Sequence, residues 1–86
     1  MKNFFFSIPD RESHIFRCEV KEDDLVLYTR EVHVYDSSFS DEMNIAILAK
    51  KMAETLGEDE ESLTIPIRLA VIYGYSTLTL PETELQ

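Results

Sequence analysis

The sequence is poor in the residues that build covalent cross-links and phosphate-binding loops. It contains one cysteine, two glycines, three prolines and no tryptophan among 86 residues. A single cysteine, Cys18, cannot form an intramolecular disulfide, whereas small secreted domains usually depend on several. We therefore expect a cytoplasmic protein. Because Gly57 and Gly74 stand alone, the chain also lacks the glycine-rich loop that binds nucleotide phosphates.

Positive charge and long apolar runs are also scarce. Eight Lys and Arg stand against 17 Asp and Glu, which gives a net charge of -9. Because direct nucleic-acid binding depends on Lys and Arg that replace counterions, this charge argues against nucleic acid as a ligand. The apolar run at residues 4–6 is too short for an export signal, and residues 63–81 are interrupted by prolines and a glycine. We expect neither an export signal nor a membrane span.

The apolar content is that of an ordinary globular protein. Hydrophobic residues make up 44% of the chain, well above the composition of disordered sequences. The length suits one hydrophobic core and therefore a single domain covering residues 1–86. Residues 82–86 are expected to form a frayed tail.

The first part of the chain predicts three antiparallel strands. Alternating apolar and polar residues favour strands at residues 3–8, 14–21 and 25–35, with a tight turn at residues 22–24 between the second and the third. The alternation changes phase within the third strand, and a bulge near Thr29 and Arg30 would keep its apolar residues on one face.

A helix follows the strands. Ser38 or Ser40 can cap its first free amides, and Gly57 is suited to its C-terminal end. Asp41 and Glu42 lie at the positive end of the helix dipole. The helical spacing places five apolar residues on one stripe, namely Ile45, Leu48, Ala49, Met52 and Leu56.

The last third of the chain is harder to interpret. Residues 58–61 form an acidic connector, and a period of two returns from Leu63 to Tyr73, which predicts a fourth strand. Both parities of this segment are apolar, so a helix over residues 66–75 remains an alternative. Residues 75–80 fit a short fifth strand.

Together these elements predict an α+β fold with an antiparallel sheet of four to five strands, in the chain order β-β-β-α-β-(β), and one helix packed on one face. The expected core consists of Phe4, Phe6, Ile8, Phe16, Cys18, Val20, Ile45, Leu48, Met52, Leu56, Ile67, Leu69 and Val71.

No catalytic constellation is evident, so we expect a protein that is not an enzyme and that binds no cofactor or metal ion. One alternative is a small metal-dependent or thiol enzyme. His14 and Cys18 share a parity on the second strand, and a hairpin would bring His14 near His33. A thiol between apolar neighbours is more often a small core residue.

Acidic and apolar residues point instead to protein interaction. Residues 37–62 hold seven acidic and two basic residues, and Met43 and Ile47 project from the helix away from its apolar stripe. The predicted partner-binding residues are Met43, Ile47, Glu58, Asp59, Glu60 and Glu61. Phe5 and Ile15, on the outer parity of the first strands, are a second patch or the interface of a homodimer.

The sequence thus favours a small acidic interaction protein, such as an inhibitor, an adaptor or a regulatory subunit. Its expected partner is a protein with a basic surface, including one that binds nucleic acid, where the carboxylates would stand in for phosphates. The alternative is a self-associating assembly module, a homodimer for example, whose acidity serves only solubility.

Overall fold

The computed structural model describes residues 1–80, so the predicted tail at residues 82–86 lies outside the described part of the chain. In chain order the elements are β1 (Lys2–Ser7), β2 (Phe16–Glu22), β3 (Leu25–Val32), α1 (Asp41–Leu56), α2 (Glu60–Tyr73) and β4 (Tyr75–Leu80).

The four strands form one antiparallel sheet in the order β3-β2-β1-β4. Both helices cover the face on which the side chains of Phe4, Phe6 and Cys18 are buried, and α1 and α2 pack against each other. The predicted α+β class with an antiparallel sheet is therefore confirmed. The predicted single helix is wrong, because the chain order is β-β-β-α-α-β.

The core lies between the sheet and the two helices. Eleven of the thirteen predicted core residues are buried, and Val32, Tyr35, Ala49, Leu63 and Ala70 join them. The exceptions are Leu56, which is half-buried at the end of α1, and Leu69, which is 40% exposed. Leu69 is exposed because the segment that contains it is a helix and not the predicted strand.

Helix α1 begins and ends where the sequence predicts. Ser40 is its N-cap, and the Ser40 hydroxyl accepts a hydrogen bond from the Met43 amide at 3.1 Å. Gly57 ends the helix in the left-handed conformation, with φ of 71°. The amide N–H groups of Gly57 and Glu58 both donate to the Ala53 carbonyl.

The predicted fourth strand at residues 63–73 is wrong, because this segment belongs to α2. Its buried residues follow the helical spacing i, i+3, i+4, i+7 and i+8, namely Leu63, Pro66, Ile67, Ala70 and Val71. The remaining residues are also largely apolar but are exposed, and this hid the helical period. The alternative helix over residues 66–75 is closer to the structure, although α2 begins earlier, after the N-cap Asp59.

Two further expectations concern the strands. The predicted fifth strand at residues 75–80 is confirmed as β4, which pairs with β1. The predicted bulge in the third strand is present but lies before Thr29 and Arg30, because the register with β2 skips Leu27. It does not bury the apolar residues at the start of the strand, since Leu25 and Leu27 are exposed. The cause of the register shift is the two-residue turn, in which Asp23 and Asp24 both have positive φ and fix the pairing of the adjacent residues.

Candidate protein-interaction surface

The exposed side of α2 is apolar over most of its length. Ile65, Leu69 and Ile72 follow a helical spacing of i, i+4 and i+7, and their exposed fractions are 68%, 40% and 48%. Tyr73 is 72% exposed at the end of the same helix. We call these four residues the α2 stripe. Exposed apolar residues in a continuous row typically mark an interaction surface.

The acidic residues 58–61 lie at the N-terminal end of α2, and we call them the acidic corner. Glu60 and Glu61 are in the first helical turn, where negative charge interacts favourably with the helix dipole. The Asp59 carboxylate accepts a hydrogen bond from the Ser62 amide at 3.3 Å and so caps the helix. Three of the four predicted acidic contacts therefore also stabilise their own helix.

The acidic corner is largely exposed to solvent. Asp59, Glu60 and Glu61 are exposed, and Glu58 is half-buried. Within residues 1–80, no Lys or Arg lies within ion-pair distance of these four carboxylates. Glu61 precedes Ile65 by one helical turn, so the acidic corner and the α2 stripe meet on one side of the helix.

The two predicted apolar contacts on α1 differ in exposure. Met43 is 49% exposed, whereas Ile47 is half-buried in a shallow hollow with Val34 and the side chains of Lys50 and Lys51. The structure therefore does not leave Met43 and Ile47 equally exposed, because the loop after β3 partly covers Ile47.

The second predicted patch on the outer sheet face is largely closed. Phe5 is half-buried beneath Lys21, whose Nζ lies 4.6 Å from the centre of the Phe5 ring. On the same face Arg17 Nε lies 2.8 Å from Glu31 Oε2. Ile15 is half-buried just before β2.

A shallow groove runs along the outer edge of β4, where the described part of the chain supplies no further strand. Leu69 and Tyr73 of α2 form one wall, and Tyr75, Ser76 and Thr77 form the other. The Ser76 hydroxyl donates a hydrogen bond to the Pro66 carbonyl, which fixes β4 against the middle of α2. The groove therefore joins the α2 stripe to the backbone edge of the sheet.

The residues of the metal or thiol hypothesis do not assemble into a site. The Cys18 side chain is buried in the core, and burial raises the pKa of its thiol to about 12. His14 and His33 are exposed, and the backbone of His14 pairs with Tyr35. In the part of the chain that the structure describes, no three His, Cys, Asp or Glu residues could hold a metal ion together.

The α2 stripe is the surface that the sequence prediction missed. Its signal was present, because residues 63–80 carry one charged residue, Arg68, and Ile65, Leu69 and Ile72 recur at helical spacing. A strand assignment placed these residues on alternating faces and so concealed the stripe.

Among residues 1–80, no helix has the length and apolar character needed to cross a membrane. Comparisons of the chain with protein-family models, with curated proteins and with solved structures gave no match.

Proposed function

We propose that this protein is a small non-enzymatic interaction protein whose acidic corner docks on a basic surface of a partner protein. The observation that carries the proposal is the exposed carboxylate group at the start of α2, which no Lys or Arg of residues 1–80 neutralises. Such a role is that of an inhibitor, an adaptor or a regulatory subunit. A partner that binds nucleic acid fits, because its basic surface is built to receive anions.

Electrostatic attraction supports this assignment both at long range and in direct contact. The net charge of -9 raises the encounter rate with a positively charged partner, and this effect weakens as salt screens it. At contact range, Glu60 and Glu61 offer carboxylates suited to bidentate hydrogen bonds from Arg. Ile65, one turn further along, adds apolar contact area next to these charges.

The experiment compares two variants with the same total charge. The first neutralises the acidic corner through Glu58→Gln, Glu60→Gln and Glu61→Gln. The control neutralises three acidic residues elsewhere through Glu12→Gln, Asp23→Asn and Asp24→Asn. Asn tolerates the positive φ of the two turn residues, so the control retains the hairpin.

Each protein is immobilised and exposed to extract from the cells that naturally produce it, at low and at high salt. We expect the wild-type protein and the control to retain a basic protein at low salt, identified by mass spectrometry, and the acidic-corner variant to lose it. Equal retention by all three proteins would contradict the proposal. Equal loss from both variants would show that only the total charge matters.

A further inference from the structure

We propose that two copies of this chain associate through the outer edge of β4 and the α2 stripe, so that the two sheets join into one. The proposal does not rest on the docking function, which depends on the acidic corner, although both surfaces would use Ile65. It rests on the backbone pattern of β4, the position of α2 above the sheet and the distribution of charge.

Among residues 1–80, the backbone of β4 has a pairing strand on one side only. The Ile8 amide donates to the Gly74 carbonyl, which identifies this pair as a hydrogen-bonded pair of the β1–β4 ladder. Since hydrogen-bonded and non-hydrogen-bonded pairs alternate in an antiparallel ladder, Tyr75, Thr77 and Thr79 direct their backbone groups away from β1. These groups can pair with another strand.

β4 of a second copy can pair with these backbone groups in a symmetric register. If Thr77 faces Thr77 of the second copy across a two-fold axis, Tyr75 of each chain faces Thr79 of the other. All the outward-directed backbone groups are then paired along the strand. Threonine and tyrosine are favourable residues for such cross-strand pairs.

The positions of the two α2 helices are compatible with the same two-fold axis. Helix α2 contacts both β4 and β1, so its axis lies above the space between these strands. With strands spaced by about 4.8 Å, the two α2 helices of the joined sheet would lie about 10 Å apart. Packed helices are separated by about 8–10 Å, so the α2 helices would pack against each other.

The exposed apolar residues lie where this packing needs them. Thr77 lies about 10 Å from Gly74 along β4. Measured back from Gly74 along α2, the same distance ends in the middle of the helix, near Pro66. The hydrogen bond from the Ser76 hydroxyl to the Pro66 carbonyl shows this alignment directly. Ile65 and Leu69 flank this point and would meet their counterparts next to the axis.

If two copies associate, the distribution of charge favours contact through this surface over contact through the other surfaces of the molecule. On a chain with a net charge of -9, two copies repel each other at most surfaces. Residues 63–80 carry only Arg68, and its guanidinium Nη1 lies 2.6 Å from Glu42 Oε2. Counting residues 1–80, the interface would therefore bring together no uncompensated like charges.

The opposite edge of the sheet lacks these properties. Strand β3 is irregular at Leu27, where the register with β2 shifts, and it carries Arg30 and Glu31. Bulges and charges are features that protect an edge strand from pairing. The ladder between β4 and β1 is regular throughout, and β4 has no charged residue.

The first test measures the oligomeric state of the full chain by sedimentation over a range of micromolar concentrations. We expect a dimer that Thr77→Lys and Leu69→Ser each weaken by about tenfold or more in dissociation constant. The controls place the same substitutions at exposed sites far from the proposed interface, Thr29→Lys and Leu25→Ser, and should leave the dimer unchanged. Circular dichroism checks that each variant is folded.

A covalent test examines the register. Directly opposite residues of a hydrogen-bonded pair have Cα atoms about 5.5 Å apart, but their Cβ atoms are too far apart for an unstrained disulfide, so a short bifunctional thiol reagent is the probe. We expect this reagent to link Thr77→Cys into a covalent dimer and to leave Thr29→Cys unlinked, while the native Cys18 is buried and does not compete. A monomer at every concentration, or a dimer indifferent to Thr77→Lys, would overturn the proposal and leave the docking function untouched.

Discussion

A buried amide holds the turn between β3 and α1 in place. The side-chain Nδ2 of Asn44 donates to the Asp36 carbonyl at 2.8 Å, and its Oδ1 accepts from the Asp36 amide at 3.0 Å. Asn44 is 1% exposed, so water cannot replace these bonds at the side chain. A polar residue on the buried side of α1 is therefore explained by the loop that it fixes.

Replacing this amide by an apolar group of similar size should destabilise the protein. We expect Asn44→Leu to lower the free energy of unfolding by about 2 kcal/mol, because the Asp36 amide loses its acceptor and the Asp36 carbonyl keeps only its bond from the Phe39 amide. Urea denaturation measures the change, and Met43→Leu on the neighbouring exposed position is the control. An effect as small as that of the control would show that the Asp36 groups are satisfied by water.

The Cys18 thiol is the clearest case of a buried titratable group. Its side chain is buried, and desolvation raises the pKa of the thiol from its ordinary value of 9.0 to about 12. The neighbouring Glu19 carboxylate raises it further, while a backbone hydrogen bond at Phe5 lowers it. The thiol is therefore protonated and inaccessible in the native state.

This burial predicts both reactivity and pH dependence. We expect a thiol-specific reagent to modify Cys18 only as fast as the protein unfolds, with a rate that rises with urea concentration. Rapid labelling without urea would contradict this expectation, and Cys18→Ala, which should stay unlabelled, is the control.

The same burial predicts how stability depends on pH. Because the thiol pKa is higher in the folded state, the stability that the buried thiol confers is complete below pH 9.0 and is lost as the pH rises towards about 12. Urea denaturation over this pH range, with Cys18→Ala as the control, measures the loss.

At the scale of elements, two glycines end the two helices. Gly57 has φ of 71° and ψ of 30°, within the left-handed helical region, whereas Gly74 has φ of 98° and ψ of -22°, outside its usual limits. No atom outside the neighbouring residues lies within 4 Å of a Cβ placed at either position. The effect of a side chain at these sites is therefore conformational.

The two positions should respond differently to the same change. We expect Gly57→Ala to lower the free energy of unfolding by about 1 kcal/mol and Gly74→Ala by about 2 kcal/mol or more, because Gly74 is further from the conformations open to alanine. Gly57→Asn should cost less than Gly57→Ala, since Asn tolerates the left-handed region. Thermal unfolding of the three variants measures the order, and equal losses at both glycines would contradict it.

The elements also show how far the sequence determines the prediction. Helix α1 was predictable because most of its outer face is polar, so its apolar stripe and its caps at Ser40 and Gly57 stand out. Helix α2 was not, because Ile65, Leu69 and Ile72 make its outer face apolar. An exposed apolar surface removes the amphipathic contrast on which period analysis depends, so the α2 stripe itself is the cause of the wrong strand prediction.

At the scale of the whole molecule, few of the described acidic groups are paired with a basic group. Four ion pairs within residues 1–80 involve a few of its acidic groups, and the net charge is -9. The acidic corner could be anticipated from the sequence, since four consecutive acidic residues lie in an exposed segment. Its junction with the α2 stripe could not, because that required knowing that α2 is a helix.

This charge predicts the response of stability to salt. We expect the unfolding temperature at neutral pH to rise by a few degrees as sodium chloride is added, because screening reduces repulsion in the folded state. About 1 kcal/mol corresponds to about 4–8 °C for a domain of this size. The acidic-corner variant, measured at the same protein concentration, should show a smaller rise, and a fall in unfolding temperature with salt would contradict the expectation.

The position of β1 has a consequence for how the chain folds. This strand lies between β2 and β4, and it pairs with residues as distant as Leu80, which faces Lys2. Contacts of such long sequence separation slow folding, because the ends of a long loop must meet before the ladder forms. During synthesis, the hairpin of β2 and β3 can form early, but the sheet cannot be completed until β4 has left the ribosome.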